Sequence, residues 1–236
     1  MTRIQMCGRL IGLLLCVVTA ALFSTIPAEA NLLQNASFEV GPGGLGILPT
    51  DWVITNPSPD TFGPSATLPG PPYFGTTATA HDGTRWVAAY DGFPETFGQT
   101  LTSPLTPGQD YLFSAWLMGP DSTIFFDGDY EVWLGPSSSG GTQLMGSVLP
   151  TTGPNVWEFR SMTFTAPVNA ASLPFLELRP YATTVDAYVG LDSVSLVATS
   201  SVPEPSTRVL GAMGLVAFSV IVLRRASVLQ RNRALR

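Results

Sequence analysis

Gly108-Gln109-Asp110-Tyr111-Leu112-Phe113-Ser114-Ala115-Trp116-Leu117-Met118 is the stretch whose reading decides the fold class. Pro107-Gly108 is a turn signal, and Tyr111 to Met118 is a short apolar run, rich in aromatics and of strand length. Comparable runs lie on both sides of it, at Arg85 to Tyr90, Tyr130 to Leu134, Val156 to Phe164, Phe175 to Arg179 and Tyr188 to Val197. Asp91-Gly92, Asp127-Gly128 and Ser139-Gly140-Gly141 punctuate them. Residues 31–200 contain no convincing helical periodicity and no repeat, and Gly41 to Gly75 is loop-rich. Short strands without intervening helices predict an all-β, antiparallel sandwich.

Charge separates this region from the rest of the chain. Residues 31–200 hold fifteen acidic residues against three arginines, Arg85, Arg160 and Arg179, which leaves a formal charge of −12. The whole-chain value of −6 hides that split, and lysine is absent throughout. An acidic surface of this kind repels nucleic acid and anionic lipid, while divalent cations and neutral glycans remain acceptable partners.

Outward again, residues 1–30 carry Arg3 and Arg9, an apolar run from Leu10 to Phe23, and Ala28-Glu29-Ala30 after Pro27. That order predicts a signal peptide cut before Asn31 by signal peptidase, the alternative being a retained membrane helix. Leu15 stands where a lipoprotein site before Cys16 would need a small residue. Cleavage removes Cys7 and Cys16, the two cysteines, so the mature chain is expected to have no disulfide, thiolate metal site or cysteine nucleophile.

Toward the other end, residues 209–223 form an apolar run, with Arg208 before it and five arginines but no acid from Arg224 to Arg236. As a helix it is about 22 Å long at about 1.5 Å per residue, short of a hydrocarbon core of about 30 Å. Snorkelling arginines or local thinning would close the gap. Residues 224–236 then read as a basic cytoplasmic tail, with residues 31–200 outside.

Residues 201–208 precede that helix and contain Val202-Pro203-Glu204-Pro205. A Pro-Glu-Pro motif, a short apolar helix and an arginine cluster in this order resemble the PEP-CTERM sorting signal of Gram-negative bacteria. The resemblance implies an exosortase-type processing enzyme as partner, transient inner-membrane anchoring, and sorting to the cell surface or an exopolysaccharide matrix. The two prolines hold the segment extended, which would present Glu204 to such an enzyme.

Several phrases of residues 31–200 resemble the jelly-roll sandwiches of the galactose-binding-like superfamily, which includes many carbohydrate-binding modules. They are Asn31-Leu32-Leu33-Gln34-Asn35-Ala36-Ser37-Phe38-Glu39, Asp51-Trp52, Gly108 to Leu117, and Gly190-Leu191-Asp192-Ser193-Val194-Ser195-Leu196. Leu33 and Phe38 are expected to plug a first strand into the core, with Leu191 and Val194 inward and Asp192 at the rim. The resemblance also implies a structural calcium bound by Glu39 and Asp192, since carboxylates suit a hard cation. The alternative is that both are polar rim residues.

Catalytic chemistry is thin. His81 is the single histidine, its His81-Asp82-Gly83 context reads as a turn, and no Gly-x-Ser-x-Gly elbow or phosphate loop accompanies it. Trp86, Trp116 and Trp157 read as packing residues. Asp129, Glu131 and Trp133 alternate with Tyr130, Val132 and Leu134, so a regular strand would set a ring beside two carboxylates on one face. That face is the best local case for glycan binding; a solvated edge strand is the other reading. The expected function is therefore a non-catalytic, exported protein that binds glycan or serves as matrix structure, with an extracellular polysaccharide hydrolase as the alternative.

Overall fold

Among its described residues the acidic region forms ten strands. They are β1 (Val53–Asn56), β2 (Asp60–Phe62), β3 (Trp86–Tyr90), β4 (Thr96–Thr100), β5 (Asp110–Met118), β6 (Asp129–Gly135), β7 (Gln143–Val148), β8 (Trp157–Thr165), β9 (Phe175–Tyr181) and β10 (Tyr188–Ala198). The computed structural model describes residues 30–63, 78–122, 125–148, 153–182 and 186–199. The predicted signal peptide, the Val202-Pro203-Glu204-Pro205 motif, the apolar run 209–223 and the tail 224–236 lie outside the described residues. Among the described residues no helix is long and apolar enough to cross a membrane.

The strands form two antiparallel five-stranded sheets, ordered β1-β4-β9-β6-β7 and β2-β3-β10-β5-β8. Their inner faces make one core, with Val87 and Ala89 of β3, Phe113, Ala115 and Leu117 of β5, and Val189 and Leu191 of β10 on one side. Phe97 of β4, Tyr130, Val132 and Leu134 of β6, and Leu176 and Leu178 of β9 close it from the other. Rings thread the interior, from Phe38 to Trp52 at 5.1 Å, Trp52 to Phe97 at 5.6 Å and Phe97 to Tyr130 at 6.0 Å. The buried Tyr130 hydroxyl donates to the Val189 carbonyl oxygen at 3.0 Å, tying one sheet to the other. A buried phenol needs such a partner, because leaving it unmade costs about 1–3 kcal/mol.

Three expectations are corrected. Residues 31–38 bury Leu33 and Phe38 as expected but form no strand. Positive φ at Asn35 and Phe38 breaks an extended run, and the segment is held through Leu32 N–H to Leu196 O and Thr102 N–H to Leu32 O. Asp192 lies at 0 % exposure rather than at the rim. The third concerns β6, which is not an edge strand: it pairs with β9 on one side and β7 on the other.

A second apolar layer covers the outer face of the β2-β3-β10-β5-β8 sheet, where Phe62, Trp86, Ala88, Met118 and Tyr188 are buried. Phe62 stacks on Trp86 at 4.3 Å, and Trp157 meets Trp86 edge-on at 5.7 Å. His81 stacks on Trp116 at 3.8 Å, so the three tryptophans read as packing residues do pack.

Candidate functional site

The outer face of the other sheet is polar and is built from the register of its central strands. β6 turns Tyr130, Val132 and Leu134 into the core and leaves Asp129, Glu131 and Trp133 half-buried on the outside, as their alternation predicts. β9 pairs with it as Asp129 with Tyr181, Glu131 with Arg179 and Trp133 with Glu177. Glu177, Arg179 and Tyr181 therefore share the face, and the same period-2 pattern in Phe175–Tyr181 is the sequence signal that would have found them.

The pieces interlock. Arg179 Cζ lies 4.0 Å from the Trp133 ring centroid, a cation–π contact. Arg179 Nε and Nη2 both donate to Glu177 Oε2, at 2.9 and 2.7 Å, and Nη2 donates also to the Gly141 carbonyl at 2.7 Å. Glu177 further accepts from Gly141 N–H at 2.5 Å and from the Thr55 hydroxyl at 2.6 Å. Burial pushes the Glu177 carboxyl up, but donors from Thr55, Gly141, Arg179 and Thr96 prevail and hold it below its ordinary value. Trp133 Nε1 donates to Glu131 Oε2 at 2.8 Å, which fixes the indole along its strand.

Asp129 is different in character. Burial raises it to about 6, against a hydrogen bond from Ser147, with the charges of Glu131 and Asp91 adding to the rise. Its Oδ1 is buried and unpartnered. Tyr181 at 41 % and Leu144, paired with Trp133, at 46 % are among the exposed apolar surfaces of this face. Rings, carboxylates and a guanidinium on a paired sheet suit a sugar, whose C–H face packs on rings while its hydroxyls bridge the charged groups. One side of Trp133 is already covered by Arg179.

Glu39 and Asp192 meet elsewhere, around the turn formed by residues 81–85. Asp192 Oδ2 accepts the backbone N–H of His81 at 2.9 Å and of Asp82 at 3.0 Å, while Oδ1 accepts Ser193 N–H at 2.6 Å. Glu39 Oε1 accepts from Thr84 N–H and Arg85 N–H, both at 2.8 Å, and Oε2 from the Thr84 hydroxyl at 2.8 Å. Calcium takes six to eight oxygen ligands. Here all four carboxylate oxygens already face N–H or O–H donors, whose positive ends would point at an ion. Among the described residues no group of three or more His, Cys, Asp or Glu could hold a metal. The two carboxylates clamp the turn through its N–H and O–H groups. It is His81's backbone, not its ring, that meets Asp192, so the two do not form a His-Asp catalytic couple.

Comparison with known proteins assigns the C-terminal end of the chain. Residues 201–226 match the PEP-CTERM protein-sorting motif. A motif of this kind marks an exported protein that transits the membrane and is processed by an exosortase. No curated protein matches the chain. Among solved structures, the Stig cyclase Fisc from Fischerella sp. TAU, in complex with (3Z)-3-(1-methyl-2-pyrrolidinylidene)-3H-indole, is 17% identical over 73% of this chain and 98% of its own, with a TM-score of 0.48. TmCBM61 in complex with β-1,4-galactotriose is 18% identical over 72% of this chain and 100% of its own, with a TM-score of 0.42. The CBM22-1 xylan-binding domain from Paenibacillus barcinonensis Xyn10C is 11% identical over 72% of this chain and 96% of its own, with a TM-score of 0.45.

Proposed function

We propose that this is a surface-sorted, non-catalytic glycan-binding protein of the cell envelope or exopolysaccharide matrix, and that it binds through the outer face of the β1-β4-β9-β6-β7 sheet. The observation that carries the reading is the Trp133–Arg179 stack between Glu131 and Glu177, with exposed Tyr181 on the same face. Trp133, Arg179 and Glu177 are each held by a neighbour before any ligand arrives, so those three lose little side-chain freedom on binding. Signal peptidase and an exosortase deliver the chain, and the clamp at residues 81–85 works without a metal ion.

A glycan-array screen of the purified full chain tests this. The parent is expected to bind at least one neutral polysaccharide, and Trp133→Ala to weaken that binding by about tenfold or more with an unchanged melting temperature, since aromatic anchors dominate binding energy. Equal binding by a folded Trp133→Ala chain would remove this face. Release of reducing ends from a bound polymer would replace the reading with a hydrolase.

A further inference from the structure

The other sheet carries a cavity of about 560 Å³ on its outer side, lined by Ser58, Asp60, Tyr90, Glu95, Phe125 and Tyr188 among others. Tyr188 and Tyr90 are cross-strand partners on β10 and β3, and Asp60 comes from β2. Phe125 stands 5.3 Å from Tyr90 and 5.7 Å from Tyr188, so three rings wall one end. Two carboxylates face them. Asp60 accepts the Tyr188 hydroxyl at 2.6 Å and Gly46 N–H at 2.8 Å, and Glu95 accepts Tyr90 N–H at 2.9 Å.

Among the described residues these two acids have no base to balance them. Lysine is absent from the chain, and each arginine of residues 31–199 is engaged elsewhere. Arg85 serves the Gly41 and Pro42 carbonyls, Arg160 pairs with Glu158, and Arg179 pairs with Glu177. The lack of a counterion shows in their titration: burial raises both, Glu95 to about 7, against hydrogen bonds from Tyr90 and Ser58 and with the charge of Asp60 adding to the rise. An anion would be repelled here. A cation suits the lining, since the carboxylates attract it when deprotonated and ring faces attract it as well.

We propose that this cavity binds a small organic cation, an ammonium group carried on a ring of monosaccharide size, held between Asp60 and Glu95 against Tyr90, Phe125 and Tyr188. The volume lies within the range of small-molecule sites, about 300–1,000 Å³, and rings beside a few fixed polar groups are their usual lining. The site is on the opposite sheet from the proposed glycan face and stands independently of it.

Isothermal titration of the purified full chain with glucosamine, glucose and choline tests it. Glucosamine is expected to bind at least tenfold more tightly than glucose. Glu95→Gln and Asp60→Asn, which keep the side-chain shape and remove the charge, should each weaken it about tenfold in a chain that is still folded at the titration pH, and Trp133→Ala should leave it intact. Phe125→Ala is a second route to the same loss. Choline binding as tightly as glucosamine would keep the cation and remove the ring. Equal binding of glucose, no binding of glucosamine, or full binding by the Glu95→Gln and Phe125→Ala chains would overturn the proposal.

Discussion

Asp192 is a carboxylate in a wholly buried position that faces three backbone N–H groups and no base. It sits where the β10–β5 register shifts between Asp192 and Ser195, with Ser193 at φ +50°, and this irregularity turns the side chain toward residues 81–82. Asp192→Ala would take the acceptor from the His81 and Asp82 N–H groups, at a cost of about 0.5–1.5 kcal/mol for each hydrogen bond lost. Chemical denaturation is expected to show that loss. Thermal melts of the parent with calcium and with a chelator are expected to coincide, because the carboxylate oxygens already meet donors. A calcium-dependent rise that disappears when Glu39→Ala and Asp192→Ala are combined would show instead that an ion displaces those donors.

At the level of elements, the candidate face depends on how closely β4 approaches β9. Gly98 lies opposite Glu177, and a Cβ placed there would stand 2.0 Å from the Leu176 carbonyl oxygen and 2.8 Å from the Phe175 ring. Thr96, two residues before it on β4, shares a hydrogen bond with Thr55 of β1, whose hydroxyl donates to Glu177. Gly98→Ala forces the two strands apart, and overpacking of this kind costs about 1–3 kcal/mol. The expected result is lower stability together with weaker glycan binding, because Glu177, which orders Arg179, moves with β9. A Gly98→Ala chain with parental stability and binding would show that the sheet accommodates the methyl without shifting.

For the whole molecule, the excess of acid over base sets the pH response. Burial raises Glu95 to about 7 and Asp129 and Asp192 to about 6, above ordinary values of 4.5 for Glu and 3.8 for Asp. The folded chain holds those protons more tightly than the unfolded chain does. Their contribution is therefore fully present below the ordinary carboxylate range and is lost as pH rises through about 6 to 7. Glu39 and Glu177, lowered despite burial by their hydrogen-bond donors, act in the opposite sense and lose their contribution as pH falls below the ordinary value. The melting temperature is expected to be higher at pH 5.5 than at pH 8, and Glu95→Gln should shrink that difference. A melting temperature that rises steadily from pH 5.5 to 8 would contradict the assignment.

Sequence alone determined the class of fold and most of its central strands. Runs such as Tyr111 to Met118 and Tyr188 to Val197 are apolar, aromatic-rich, of strand length and bounded by turn signals, and those marks are local. For the same reason the split of β6 into Asp129, Glu131 and Trp133 outside and Tyr130, Val132 and Leu134 inside is legible, and so is the sorting motif, which is read as linear sequence. Four strands were not. β1 is largely exposed, β2 has three residues, β7 includes Gly146, and β4 buries Thr96, Gly98 and Gln99, which no hydrophobic pattern marks. Their pairing comes from distant partners. Only the tertiary structure decided that Glu39 and Asp192 close on one turn, that Arg179 covers Trp133, and that Asp60 and Glu95 share a cavity. These are contacts between residues 35 to 153 positions apart in the chain or across a strand pair, and a register set by the packing of two sheets carries no trace in any local stretch of residues.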